Sequence, residues 1–207
     1  IRDRIRGVSD EAKTKLPQAD RIGNTYVDLL SASTGNGSAN FPQDNDGVIR
    51  RAPTAIYFDG ADHVYPSLVM SAVIDILGIK KDGGFDYDFE NNLLNLIDST
   101  DTIVRTIPID DNGRMYVNYF GKFQTFYYLP YSYCMDPEML PPDYWEGKVA
   151  LVGASLPGLM DLRNTPVQET FAGVEIHANV MHSILQNDFV VVKDNVSTFY
   201  SILILCI

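Results

Sequence analysis

Two kinds of chemistry are open to the residues between Gly153 and Asn179: nucleophilic attack, and capture of a small charged ligand. Gly153-Ala154-Ser155-Leu156-Pro157 has the start of a nucleophile elbow, Gly-x-Ser-x-Gly. An elbow needs a small residue after the serine, so that a strained turn passes at once into a helix. Leu156-Pro157 breaks that geometry, and Ser155 is better read as tying down a turn. The ligand alternative uses Asp161, Arg163, Glu175 and His177 with Ser155. In open α/β sheets, ligands favour the crevice beyond the carboxyl ends of the strands, where helix N-termini present free N–H groups. Arg163 can hold an acidic ligand there or pair with Asp161, and Asp161 can cap the helix from within.

His177 and His182 cannot share a metal. Five residues apart on one helix, they diverge by about 140°. His177 falls in the apolar arc of Val174, Ala178, Met181 and Leu185, where an imidazole is usually satisfied by a nearby loop carbonyl or carboxylate. His182 falls on the polar side with Asn179 and Gln186. No Walker, Gly-x-Gly-x-x-Gly or His-Glu-x-x-His sequence is present, so no cofactor, metal or catalytic residue is assigned. Asp44, Asp46, Asp110 and Asp111 stand beside Gly or Asn, where turn formation accounts for them.

The elements that must position these residues follow from periodicity and punctuation. Lys148–Val152 reads as a short apolar strand of the kind covered on both faces, and Val174–Asn187 as the following helix. Pro66–Leu77 reads as a buried helix, with Pro66 at its first position and Gly78 as its stop. Its polar residues Ser67, Ser71 and Asp75 form one narrow stripe. Tyr26–Leu30 reads as a short strand, Ser31–Asn45 as a loop, and Val48–Phe58 as an extended stretch interrupted at Pro53. A polar turn over 80–90 precedes strands at Asn91–Ile97, Thr102–Ile109 and Arg114–Phe120. Strand, loop and helix in this order give an α/β fold, a mixed sheet with flanking helices, in a single domain.

The chain has 207 residues, a net charge of -11 and two cysteines, Cys134 and Cys206, in no metal or disulfide pattern. That acidity excludes nucleic acid as a partner and otherwise reads as solubility. Val196 to Ile207 is uncharged and apolar, shorter than the roughly 20 residues of a spanning helix. With no initiating methionine, the sequence reads as a piece of a longer chain, and the tail as the start of a transmembrane helix.

Three segments together resemble the CHASE2 family of extracellular sensor domains. The first is Asp44-Asn45-Asp46-Gly47-Val48-Ile49-Arg50-Arg51-Ala52-Pro53 with Tyr65-Pro66-Ser67. The second is Ile107-Pro108-Ile109-Asp110, Gly113, Met115–Tyr119 and Gly121. The third is Gly147–Gly153, Asp161, Thr165-Pro166 and Gly173-Val174-Glu175-Ile176-His177-Ala178-Asn179. The resemblance implies a periplasmic or otherwise extracytoplasmic input module of a membrane-anchored bacterial receptor, with no enzymatic activity of its own. Residues 1–25 are then a lead-in and remnant of an N-terminal part truncated here, 26–195 the sensor domain, and 196–207 the start of a membrane helix.

The implied output is a nucleotide cyclase first, with a histidine or serine/threonine kinase as the alternative. The expected partners are an undefined small-molecule or protein signal, the membrane through flanking helices, and a second copy in a homodimer. Two readings from other classes stay open: a periplasmic hydrolase using Ser155 and His177, and a structural assembly module without a ligand.

Overall fold

The computed structural model describes residues 4–21, 23, 26–59, 62–136, 138–155, 161–192 and 204. The expected loop positions Leu156 and Pro157, and the apolar tail apart from Ile204, lie outside these residues. Among the described residues, no helix is long and apolar enough to cross a membrane.

The core is built on two helices. Helix α3 (Leu68–Leu77) starts at Ser67, whose hydroxyl accepts from the Met70 N–H, and stops at Gly78 in the left-handed conformation. The helix therefore starts two residues later than expected, because Pro66, expected at its first position, is the last residue of strand β4 (His63–Pro66). Helix α5 (Gly173–Gln186) ends at Asn187, also left-handed, with the Asp188 N–H closing back on the Ser183 carbonyl. Val69, Met70, Val73 and Ile74 of α3 and Ile176, Val180, Met181 and Ile184 of α5 are buried in one cluster. Each such side chain contributes about 1.5–3 kcal/mol when withdrawn from water.

Four small sheets surround these helices. Strand β1 (Gln18–Ala19) runs parallel to β3 (Ala55–Phe58), which forms an antiparallel hairpin with β4. Strand β2 (Arg51–Pro53) pairs antiparallel with β8 (Arg114–Tyr116). Strands β5 (Phe85–Asp88), β6 (Leu93–Ile97) and β7 (Ile103–Pro108) form an antiparallel meander, and β9 (Leu162–Arg163) pairs with β10 (Phe171–Ala172). In β6 the alternation is sharp. Leu94 and Leu96 are fully buried, whereas Asn95 on the other face bonds Asp86 and Thr106. The architecture is α/β with one mixed sheet. The expected break near Pro53 is real, since β2 and β3 on either side of Thr54 join different sheets.

Three local expectations are corrected. Tyr26–Leu30 is not a strand, because Val27–Ala32 forms helix α2, closed by local bonds such as Leu30 N–H to Tyr26 O. A helix satisfies its backbone locally, whereas a strand requires a neighbour, and none is present among the described residues. The turn over 80–90 contains β5, whose Phe85 is buried opposite Leu96. Lys148–Val152 is irregular, with Val149 48% and Val152 81% exposed. Its composition suits an interior strand, but no described edge pairs with it.

Arg105 fixes α5 to the meander. Its guanidinium donates to the carbonyls of Ile184 and Leu185 in the last turn of the helix, where positive charge is stabilising.

Candidate functional site

The first two turns of α5 gather the residues of the third sequence segment. Gly173 opens the helix with its N–H on the Asp161 backbone carbonyl. A side chain at Gly173 would lie 2.6 and 2.7 Å from the two Asp161 carboxylate oxygens, so only glycine admits that carboxylate against the helix start. Asp161 thus caps the helix through its backbone, and the N-cap residue Ala172 has no side-chain cap. Arg163 Nη2 lies 3.3 Å from Asp161 Oδ1, with both side chains about two-fifths exposed. Gly153 packs against the same turn, since a Cβ there would meet Val174 Cβ at 2.5 Å. Asp161, Arg163 and His177 therefore converge on one end of α5, and Gly153, two residues before Ser155, packs against the same end.

His177 is buried, its ring centroid 4.4 Å from that of Phe41 with the two planes tilted by 44°. Burial lowers its proton affinity, and the nearby Asp161 carboxylate acts in the opposite direction. Its Nδ1 is buried without a hydrogen-bond partner. Ser155 makes no hydrogen bond with His177 among the described residues, so the nucleophile–base contact that a hydrolase requires is not formed.

Glu175 turns away from this crevice. Its fully buried carboxylate accepts from the N–H groups of Gln124 at 2.9 Å, Thr125 at 2.9 Å and Phe126 at 3.4 Å, and from the Tyr128 hydroxyl at 3.0 Å. Consecutive N–H groups around a left-handed residue, here Gln124 at φ 67°, make a cradle for an anion. Burial and this carboxylate raise the proton affinity of the Tyr128 phenolate.

One turn on, Asn179 Oδ1 accepts from the Phe120 N–H while its amide donates to the Glu175 carbonyl. Asn118 reaches Asp188, and His182 lies edge-to-face with Phe120 and Phe126. Residues 118–128 thus form a strap along α5 held by the buried Glu175 and Asn179, and the buried Ser183 donates to the Asn179 carbonyl one turn on. Gly121 lets the strap turn, because a Cβ there would strike Thr125 Oγ1 at 2.3 Å. Sequence reasoning placed Glu175 in the crevice and missed the strap. The available signal was the four-residue spacing of Glu175, Asn179 and Ser183, which sets them in one line along the helix.

A second polar cluster explains the first segment. Asp44 accepts from both Arg50 and Arg51, and Asp46 pairs with Arg50. Asp110 pairs with Arg114 at 2.8 Å and lies 3.6 Å from Arg51 Nε. The Arg50 side chain holds the Asp46 carboxyl down to about 2. The aspartates also close their turns, as expected: Asp46 on the Val48 N–H and Asp110 on those of Asn112 and Arg114. Arg51 therefore joins the 44–50 turn to the 110–114 turn across β2 and β8. Among the described residues, no group of three or more His, Cys, Asp or Glu could hold a metal ion.

No curated protein and no solved structure matches the chain significantly. A family model for the CHASE2 domain matches residues 3–207. CHASE2 domains are extracellular, non-catalytic sensor domains of signalling receptors. All three motif segments resolve here into one framework around α5 and the β2–β8 pair, and the chain belongs to the CHASE2 family.

Proposed function

We propose that this chain is the extracytoplasmic input domain of a membrane-anchored bacterial receptor, with a nucleotide cyclase as the favoured output. The observation that carries the reading is the placement of α5. Its first turns gather Asp161, Arg163 and His177, its flank carries the strap, and the apolar sequence 196–207 follows shortly after its last turn. A ligand preferring one arrangement of the crevice would bias the position of α5, and a signal needs that difference in affinity between two states. A kinase output would use the same input geometry. The hydrolase reading loses its support with the missing contact between Ser155 and His177.

Two measurements test this. Cys134 is exposed and offers a topological reporter. In intact cells making the full-length gene product with Cys206→Ser, a membrane-impermeant maleimide labels Cys134 if the domain faces outward. Labelling only after lysis refutes the extracytoplasmic placement. A thermal-shift screen then tests for a small-molecule signal, since a ligand at 100 times its Kd adds about 2.7 kcal/mol. A hit abolished by Arg163→Ala assigns it to the crevice, and a hit indifferent to that change refutes the assignment.

A further inference from the structure

Three features converge at the start of α5: a helix N-terminus, an exposed pair of opposite charges, and a buried imidazole nitrogen without a partner. Nδ1 of His177 is buried with no hydrogen-bond partner among the described residues, and in one tautomer of the neutral ring it is an acceptor. His177 is 8% exposed, so water does not satisfy this atom from bulk solvent. Native structures rarely leave such a group unpaired without a functional reason.

The neighbouring charges narrow the chemistry of the missing donor. Asp161 and Arg163 touch through one contact of 3.3 Å, and neither side chain has another ion pair among the described residues. A lone anion drawn to Arg163 would also face Asp161, and a lone cation drawn to Asp161 would face Arg163. A molecule carrying both charges avoids the conflict by lying antiparallel to the pair, which is selection by repulsion as well as attraction. Its carboxylate would take the forked donors of Arg163, with the positive end of the helix nearby. Its ammonium, with three N–H donors, would satisfy Asp161 and His177 Nδ1 together. The Phe41 ring beside His177 leaves an apolar wall for a short side chain.

We propose that the crevice binds a small free amino acid, with Arg163 as the carboxylate partner and Asp161 and His177 as the ammonium partners. The proposal rests on the reading of the crevice as the sensory site. Nδ1 is enclosed, so ligand entry would require neighbouring side chains to shift, and the Asp161 carboxylate against Gly173 and the Phe41 ring beside His177 are the neighbours the geometry identifies. Both abut the first turns of α5, so occupancy and helix position are coupled.

The test is calorimetric and thermal-shift titration of the 207-residue chain with the twenty L-amino acids. Each hit is repeated with its N-acetyl and amide derivatives. At least one amino acid should bind, both derivatives should fail, and Asp161→Asn and Arg163→Gln should each weaken binding by about tenfold or more. Both positions are partly exposed, so both variants should fold, with circular dichroism as the check. Absence of binding by all twenty overturns the proposal. If another metabolite class then binds and is lost in Arg163→Gln, the crevice remains the sensory site with a different ligand. Amino-acid binding untouched by either variant overturns the crevice itself.

Discussion

Replacing Glu175 by alanine should release the strap and cost a large share of the domain's stability. The variant strips the acceptor from two backbone N–H groups at 2.9 Å, a third at 3.4 Å, and the Tyr128 hydroxyl at 3.0 Å. A hydrogen bond to a charged group contributes about 1.5–3 kcal/mol net, and a buried donor left unpaired costs about 1–3 kcal/mol. The contact at 3.4 Å counts for little. The strap can also open to water, which recovers part of the penalty and removes the cost of burying a carboxylate. The expected loss is about 3–5 kcal/mol, against a typical domain stability of 5–15 kcal/mol. Glu175→Gln keeps one acceptor oxygen but turns an amide donor towards N–H groups, so about 1–2 kcal/mol is expected. Urea denaturation gives the energies, and hydrogen exchange at the 124–126 amides locates them. Stability within about 0.5 kcal/mol of the parent for Glu175→Ala, with unchanged exchange at those amides, would refute the reasoning.

Four further outcomes follow from the same geometry. Asn179→Ala should cost about 1–3 kcal/mol, and its effect should fall short of additive with Glu175→Ala, since both hold one strap. Gly173→Ala would ordinarily be tolerated at a first helical position, but here the new methyl meets the Asp161 carboxylate, so the melting temperature should fall. Arg51→Ala should destabilise more than Arg50→Ala, because Arg51 joins two turns from a less exposed position, whereas the Arg50–Asp46 pair lies in solvent and such pairs contribute about 0–1 kcal/mol. The fourth outcome is a pH dependence from His177. Burial holds it below its ordinary value, so on acidification the unfolded chain takes up the proton first, near pH 6.5. Its contribution is complete above that value and lost as pH falls through it towards the folded value. Melting curves from pH 8 to 5 should show the decline, and His177→Asn should flatten it.

Local signals carried much of this fold. Ser67 and Gly78 frame α3, Asn187 closes α5, and the Asp–Gly and Asn–Gly turns sit where composition places them, because caps and turns depend on neighbours in sequence. The α/β class and the inward face of His177 follow from the same short-range periodicity. The order of three motif segments between Asp44 and Asn179 carried the family.

The tertiary structure decided what depends on distant partners. Whether Val149–Val152 becomes a strand depends on a paired edge that no local pattern encodes, and the described residues supply none. Tyr26–Leu30 had strand-forming residues but closed on itself as a helix. The fate of Glu175 was decided by a strap about fifty residues away in sequence, which turned an apparent ligand group into a buried anchor. Only the assembled fold left Nδ1 of His177 without a partner beside a half-exposed pair of opposite charges. Residue type and spacing determine what a side chain can do, and burial together with long-range pairing determines which of those options remains.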